Sequence, residues 1–236
     1  IQLFNSFAAW RDGSPLRFTQ TEQEYKLLAC LLLHKGSPVA RDRLATALWP
    51  DSLDAKRNLR AVLSRLRTTL GSDMNAIREH DSLSLAFDTS ACRLSVDLYD
   101  FEAAYGAGRW RKAVEAYRGS VLSGWYEDWF LEKSQEYHRQ YGQALVHAAE
   151  SAAEAGRFAD ALYFVNRGLE DENLQEEEEV LALKIRVLAE SGSAADLRSV
   201  YQKYRKRQEE EWGEAQLSPK IEQLYETSLR RAYTRV

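Results

Sequence analysis

The sequence has few of the residues that support disulfide frameworks or membrane spans. Its only cysteines, Cys30 and Cys92, are too few and too far apart for a disulfide framework or a metal-binding spacing. The longest apolar run, from Leu27 to Leu33, is far shorter than the ~20 residues of a membrane helix. We therefore expect a protein of the reducing cytoplasm with no membrane partner.

Motifs of enzymes are also missing. The four histidines lack the spacing of metal ligands, and there is neither a glycine-rich phosphate loop nor a dinucleotide fingerprint. No serine stands in a Gly-x-Ser-x-Gly elbow. The sequence therefore predicts a protein that is not an enzyme and has no cofactor and no bound metal.

The 236 residues, of which 44% are hydrophobic and 29% charged, fit a globular chain of one or two domains. The chain begins at Ile1, already inside a predicted strand and without a preceding Met. We therefore expect a fragment of a longer protein, from which a further domain could have been removed.

Charge is distributed unevenly along the chain. Residues 1–90 contain 12 basic and 10 acidic side chains, whereas residues 91–236 contain 20 and 26. Five of the basic residues lie between Lys56 and Arg67, and no acidic residue occurs between Asp54 and Asp73. A local basic stripe of this kind can bind phosphate although the whole chain has a net charge of −4.

The first 90 residues have the element order of a winged helix-turn-helix. Periodicity and turn residues predict two strands, three helices and a final hairpin. A capping box from Thr21 to Glu24 starts the first helix, and Gly36 ends it. The other predicted bounds are strands over 1–10 and 16–19, helices over 41–48 and 54–70, and a hairpin over 77–87 that turns at Asp81-Ser82, with Leu83, Leu85 and Phe87 facing the core.

The third predicted helix separates an apolar stripe from a basic face. The apolar stripe recurs at the helical period and consists of Leu59, Val62, Leu63, Leu66 and Leu70. The opposite side carries Arg57, Arg60, Ser64 and Arg67, flanked by Arg65 and Thr68. Ordinary exposed helices mix both signs of charge, so a purely basic face favours contact with DNA. Arg41 could bind a phosphate at a helix N-terminus, and Arg78 lies on the predicted wing.

Residues 91–236 predict an all-helical repeat domain. Three similar segments start at Gly108, Gly156 and Gly192, each reading as a helix end, a glycine turn and a new helix. The last two are separated by 36 residues, close to the ~34-residue period of tetratricopeptide repeats. We therefore expect a mainly α protein with a winged helix-turn-helix domain over 1–90 and a repeat domain of tetratricopeptide type over 91–236.

Several segments together resemble the SARP-type (Streptomyces antibiotic regulatory protein) activators, which join an OmpR-like winged helix to a bacterial transcriptional activator domain. The segments in the first half are Leu3–Phe7, Pro38–Leu44, Leu44–Asp51, Asn58–Arg60 and Leu63–Arg67. Those in the second half are Asp97–Phe101, Gly156–Phe158 and Leu217–Pro219. Each segment alone is weak evidence, but together they span nearly the whole chain.

The resemblance implies binding of two tandem copies to promoter direct repeats and recruitment of RNA polymerase. It also implies that the third helix reads the major groove and that residues 78–82 form the wing. The candidate DNA-binding residues are Arg41, Lys56, Arg57, Arg60, Ser64, Arg65, Arg67 and Arg78. The alternative is a protein-interaction scaffold or a regulatory fragment of a larger signalling protein, in which the helical repeats are the working part.

Overall fold

The computed structural model describes residues 1–18, 22–126, 128–171, 178–212 and 218–234. The chain divides into two compact units, one of residues 1–103 and 116–138 and the other of residues 104–115 and 139–236. The predicted boundary between two functional domains near residue 90 stays a prediction. Of the helices within the described ranges, none combines the length and apolar character needed to cross a bilayer.

The first unit contains a winged helix-turn-helix. Its elements are β1 (Trp10–Arg11), β2 (Ser14–Pro15), α1 (Glu22–Leu33), β3 (Val39–Ala40), α2 (Arg41–Leu48), α3 (Ala55–Leu70), a 3-10 helix (Gly71–Ala76), β4 (Ile77–Asp81) and β5 (Ser84–Phe87). Strands β1 and β2 form an antiparallel hairpin, and β3, β5 and β4 form an antiparallel sheet in that order. The predicted fold class of this region is thereby confirmed.

The predicted apolar stripe of α3 is buried. The side chains of Leu59, Val62, Leu63, Leu66 and Leu70 are at most 5% exposed, and they pack where α3 meets α1 and α2. Helix α3 ends where Gly71 adopts a φ of +52°, a conformation that residues with a Cβ rarely adopt.

The N-terminal strands predicted over 1–10 and 16–19 are wrong in extent. Among the described residues of this segment, only Trp10–Arg11 and Ser14–Pro15 pair as strands, while Gln2 and Ala8 form a single bridge and Phe4 forms another with Val121. Asn5 has a φ of +63°, which interrupts the extended backbone. Thr19, and the Thr21 of the predicted capping box, lie outside the described residues.

The wing turns one residue later than predicted. Asp81 still belongs to β4, and the turn comprises Ser82 and Leu83. The side chain of Leu83 is therefore 73% exposed rather than part of the core, whereas Leu85 and Phe87 are buried as predicted. Asp81 stabilises this turn because its Oδ1 accepts hydrogen bonds from the Leu83 N–H and the Ser84 hydroxyl, both at 2.8 Å.

Beyond residue 96, most of the described residues are helical. The helices are α4 (Asp97–Gly106), α5 (Trp110–Ala116), α6 (Asp128–Glu154), α7 (Phe158–Leu169), α8 (Glu178–Glu190), α9 (Ala194–Trp212) and α10 (Pro219–Thr234). Leu217, from one of the resembling segments, lies outside the described residues. The predicted mainly α class, with tetratricopeptide-like repeats after the winged helix, is confirmed.

The three glycine segments adopt the same backbone turn. In each case a helix ends two residues before the glycine and the next helix begins two residues after it. Gly108, Gly156 and Gly192 have φ values of +63°, +71° and +77°. In each turn the N–H after the glycine donates to a carbonyl five residues back, at 2.9, 2.8 and 3.1 Å, which is the bond of a Schellman cap.

Candidate DNA-binding surface

The candidate site includes the exposed face of α3. This face carries Lys56, Arg57, Arg60, Ser64 and Thr68. These residues are exposed because the apolar stripe of the same helix faces the core, and a helix period of 3.6 residues places them on the other side. The predicted separation of α3 into a buried apolar face and an exposed polar face is confirmed.

Two cations on the exposed face of α3, Arg57 and Arg60, have no neutralising partner among the described residues. Within those ranges they take part in no ion pair or side-chain hydrogen bond. Lys56 pairs with Asp42 at 2.9 Å, but the two side chains are 70% and 72% exposed. Exposed pairs of this kind contribute little free energy. All three cations could therefore bind an anionic partner with little loss of folding stability.

Arg41 and Arg67 converge on one carboxylate of the wing. The Nη2 atoms of both arginines lie 3.1 Å from Oε1 of Glu79. The hydrogen bond from Arg67 and then the positive charge of Arg41 lower the pKa of Glu79 below its ordinary value of 4.5. Glu79 therefore ties the wing to both α2 and α3, and it neutralises part of the basic surface.

These residues border a hollow of about 580 Å³ between α3, the 3-10 helix and the wing. Its charged lining residues are Arg41, Arg60, Arg67 and Glu79, and Ser64 and Thr68 contribute hydroxyl groups. Three cations and one anion leave the hollow net positive, which suits a phosphate group.

Arg65 points away from this hollow. Its Nε lies 3.9 Å from Oε1 of Glu24 in α1, whose side chain is completely buried. Thr69 donates a hydrogen bond of 3.3 Å to the other oxygen of Glu24. A buried carboxylate requires a nearby cation or hydrogen bonds, so the surroundings of Arg65 indicate a stabilising contact within the fold.

Arg78 lies on the outer part of the wing. Its Nη2 is 2.5 Å from Oδ2 of Asp88, and its side chain is 63% exposed. The structure therefore brings Arg41, Arg60, Ser64 and Arg67 together at the hollow, with Lys56 and Arg57 on the neighbouring turns of α3. Arg65 and Arg78 lie outside this group, and their assignment as DNA contacts stays a prediction.

Glu79 was missed by reasoning from the sequence. It stands between Arg78 and His80 on the predicted wing, and nothing local marks it as the partner of residues 12 and 38 positions away. Within the described parts of the chain, no three His, Cys, Asp or Glu side chains are grouped so that they could hold a metal ion.

Comparison with known proteins identifies the family. The family model described as "transcriptional regulatory protein, C terminal" matches residues 15–82. The model described as "bacterial transcriptional activator domain" matches residues 96–229, more than half of the chain. The chain belongs to the bacterial transcriptional activator domain family. The predicted combination of an OmpR-like winged helix with this domain is confirmed, and both matched families are regulators of transcription rather than enzymes.

A solved structure supports the same architecture for this activator-domain protein. Mycobacterium tuberculosis EmbR, determined in complex with a low-affinity phosphopeptide, superposes with a TM-score of 0.75 at 20% sequence identity. The match covers 99% of this chain but only 66% of the EmbR chain. At this identity the likeness concerns the fold alone. A search of curated proteins returned no match.

Proposed function

We propose that this chain is a sequence-specific DNA-binding activator that inserts α3 into the major groove of promoter direct repeats. The observation that carries the proposal is the pair of exposed arginines, Arg57 and Arg60, which lie one turn apart on α3 and have no ion-pair partner within the described ranges. A helix fits the major groove of B-DNA, and the planar guanidinium group can donate two hydrogen bonds to a guanine edge.

The surroundings of the other basic residues suggest distinct roles. Ser64 follows Arg60 by one turn and is proposed as a further base or phosphate contact. Lys56, Arg41, Arg67 and Arg78 already pair with carboxylates, and we propose that they contact phosphates, which replace or share those carboxylates. Phosphate contacts set affinity and register, whereas base contacts set sequence preference.

For the helical domain we propose contact with RNA polymerase and with a second copy bound at the adjacent repeat. Helical repeats of this kind stack into extended surfaces that bind other proteins. Because the chain spans 66% of the EmbR chain, the activity of a longer protein would include parts that these 236 residues do not contain.

The deciding experiment is selection of bound duplexes from a random DNA library by the purified chain, followed by sequencing. Enrichment of a direct repeat is the expected result, and it would supply the operator as well. If the chain retains only salt-sensitive binding without any preferred sequence, the proposal of sequence-specific recognition is wrong.

A second candidate, a protein-interaction scaffold, is favoured by a hollow of about 670 Å³ in the second unit. Helices α6, α8 and α10 line it, with Val146, Ala182 and Leu224 as apolar positions and Glu150, Glu179, Arg186 and Lys220 as charged ones. This volume lies within the range of small-molecule and cofactor sites. If R57A/R60A left DNA binding unchanged while substitutions in this hollow abolished activation, the scaffold would be the better description.

A further inference from the structure

The hollow beside α3 contains one acidic side chain among its cations. The Glu79 side chain is 48% exposed, so its carboxylate stands at the surface where an incoming phosphate would meet the same arginines. Both Arg41 and Arg67 use Nη2 to reach the same Oε1 atom. A carboxylate held by two guanidinium groups has the charge sign and acceptor geometry of a bound phosphate oxygen.

From this geometry we propose that Glu79 has two roles at the basic surface. It competes with DNA phosphate for Arg41 and Arg67, which limits the affinity of the surface for DNA. It also holds these two arginines in position until DNA binds. The inference rests on the proposed DNA-binding function and deepens it. Arg60 borders the same hollow, and no carboxylate in the described part of the chain pairs with it.

The positioning part of the role follows from the burial of Arg41. Its side chain is 19% exposed, and its buried Nε has no hydrogen-bond partner among the described residues. Glu79 supplies the anion that compensates this partly buried cation. A buried charge without such compensation is costly, so the arginine is held in place before DNA binds and loses little side-chain entropy when it does.

The competing part of the role follows from the charge balance. With Glu79 ionised, one negative charge is shared by two arginines, and each is a weaker phosphate ligand than a free arginine. The low pKa of Glu79 keeps it ionised throughout the neutral range. Binding of phosphate in the hollow must therefore displace a carboxylate or tolerate its repulsion, and only the DNA contacts made elsewhere on α3 compensate for this.

The test uses the variant Glu79→Gln in the whole chain. The amide oxygen of Gln still accepts a hydrogen bond, so the variant removes the charge and keeps the acceptor. We expect the affinity for a duplex of fixed sequence to rise roughly five- to tenfold at about 0.1 M salt, and the slope of log K against log salt to steepen by about 0.9 for each arginine released.

Asp12→Asn is the matched control. Asp12 lies in the β1–β2 turn with a φ of +49°, a conformation that Asn adopts readily, and it does not border the hollow. It changes the net charge of the protein by the same amount, so it should leave the salt slope unchanged. In E79Q/R67Q the steepening of the slope should be smaller than in E79Q alone, because one of the two released arginines is gone.

Three results would overturn the inference while leaving the proposed function standing. They are an E79Q slope equal to that of Asp12→Asn, an undiminished gain in E79Q/R67Q, and weaker DNA binding by E79Q. Elution from a heparin column, a polyanion that needs no operator, provides a second measurement, in which E79Q should elute at higher salt than Asp12→Asn. If the unsubstituted chain bound heparin but no DNA, the proposed function would fail, and the heparin comparison would still decide the role of Glu79.

Discussion

Arg60 and Arg65 lie five residues apart on the same helix in different electrostatic surroundings. Arg60 is exposed and forms no ion pair within the described ranges, whereas Arg65 contacts the buried carboxylate of Glu24. The two side chains therefore have different surroundings, although the sequence places both on the same basic helix. Substitution of each should change a different measured quantity.

We expect Arg60→Ala to weaken DNA binding by roughly 5- to 100-fold, which corresponds to the loss of one good base or phosphate contact. The melting temperature should not change, because the Arg60 side chain contributes no contact to the core. Fluorescence anisotropy with the selected duplex and thermal denaturation measure the two quantities. Lys206→Ala is the control, since Lys206 is 76% exposed on α9 and removes the same charge. Equal affinities of both variants would contradict the assignment of the exposed face of α3.

Arg65→Ala should instead lower the free energy of unfolding by about 1–3 kcal/mol, because it removes a cation that lies 3.9 Å from a buried carboxylate. Chemical denaturation measures this loss, and Arg57→Ala, which removes an exposed arginine of the same helix, should show almost none. In a Glu24→Gln background the cost of Arg65→Ala should shrink, since the buried charge is gone. A cost that is the same in both backgrounds would show that the pair with Glu24 is not the cause.

At the scale of single elements, the repeated glycine turns mark where α4, α6 and α8 end and where α5, α7 and α9 begin. Gly156 follows α6 with a φ of +71°, and a Cβ built on it would meet no atom within 4 Å. Gly106, the last residue of α4, also has open space around a Cβ, but its φ is not positive. The two positions differ in backbone conformation and not in available space.

Gly156→Ala should therefore destabilise the protein by about 1–2 kcal/mol, the cost of a left-handed conformation for a residue with a Cβ. Gly106→Ala should be neutral or slightly stabilising, because Ala is the better helix former. Urea denaturation of both variants gives the comparison. The Schellman-turn interpretation would be wrong if Gly156→Ala were as stable as Gly106→Ala.

The wing is the element whose stability should depend on pH. Hydrogen bonds lower the pKa values of two wing carboxyls, Glu79 chiefly through Arg67 and Asp81 through the Ser84 hydroxyl, below their ordinary values. The same holds for Asp88, directly after β5, through the Ser90 hydroxyl. A carboxyl with a lowered folded-state pKa stabilises the fold above its ordinary pKa, and this contribution is lost as pH falls through the folded-state value.

We therefore expect the wing to be fully formed at neutral pH and to loosen below about pH 4. The amide resonance of Leu83, which donates to Asp81, reports this transition by NMR. In Asp81→Asn the part of the change that comes from Asp81 should disappear. A Leu83 amide with the same pH profile in both proteins would show that Asp81 does not hold the turn.

At the scale of the whole molecule, the N-terminal segment joins parts of the chain that are distant in sequence. Leu3 and Phe4 are completely buried, and their N–H groups donate to the carboxylate of Asp97 at 2.8 and 3.2 Å. The ring of Phe4 packs against Phe101 and Tyr117 at centroid distances of 5.9 and 4.9 Å. A winged helix cut off near residue 90 would lack all three partners.

A fragment of residues 1–90 should consequently be less stable than a fragment of residues 1–138. Exposure of the Leu3 and Phe4 side chains alone costs about 1.5–3 kcal/mol each. Thermal melts followed by circular dichroism, together with binding of a hydrophobic dye, would detect the difference. If the two fragments melted at the same temperature, residues 91–138 would not be needed for the stability of the DNA-binding part.

The sequence by itself determined the order of the three helices and the final hairpin of the winged helix, the buried stripe and basic face of α3, and the helical repeats with their glycine turns. These features depend on local periodicity and on backbone preferences that act within a few residues. Tertiary structure alone decided that Arg65 lies beside the buried carboxylate of Glu24 and that Glu79 pairs with both Arg41 and Arg67. It also decided that Leu3 and Phe4 contact residues that come after residue 95 in the chain. Those outcomes depend on pairings across long stretches of chain, which burial and charge compensation select only when the core has formed.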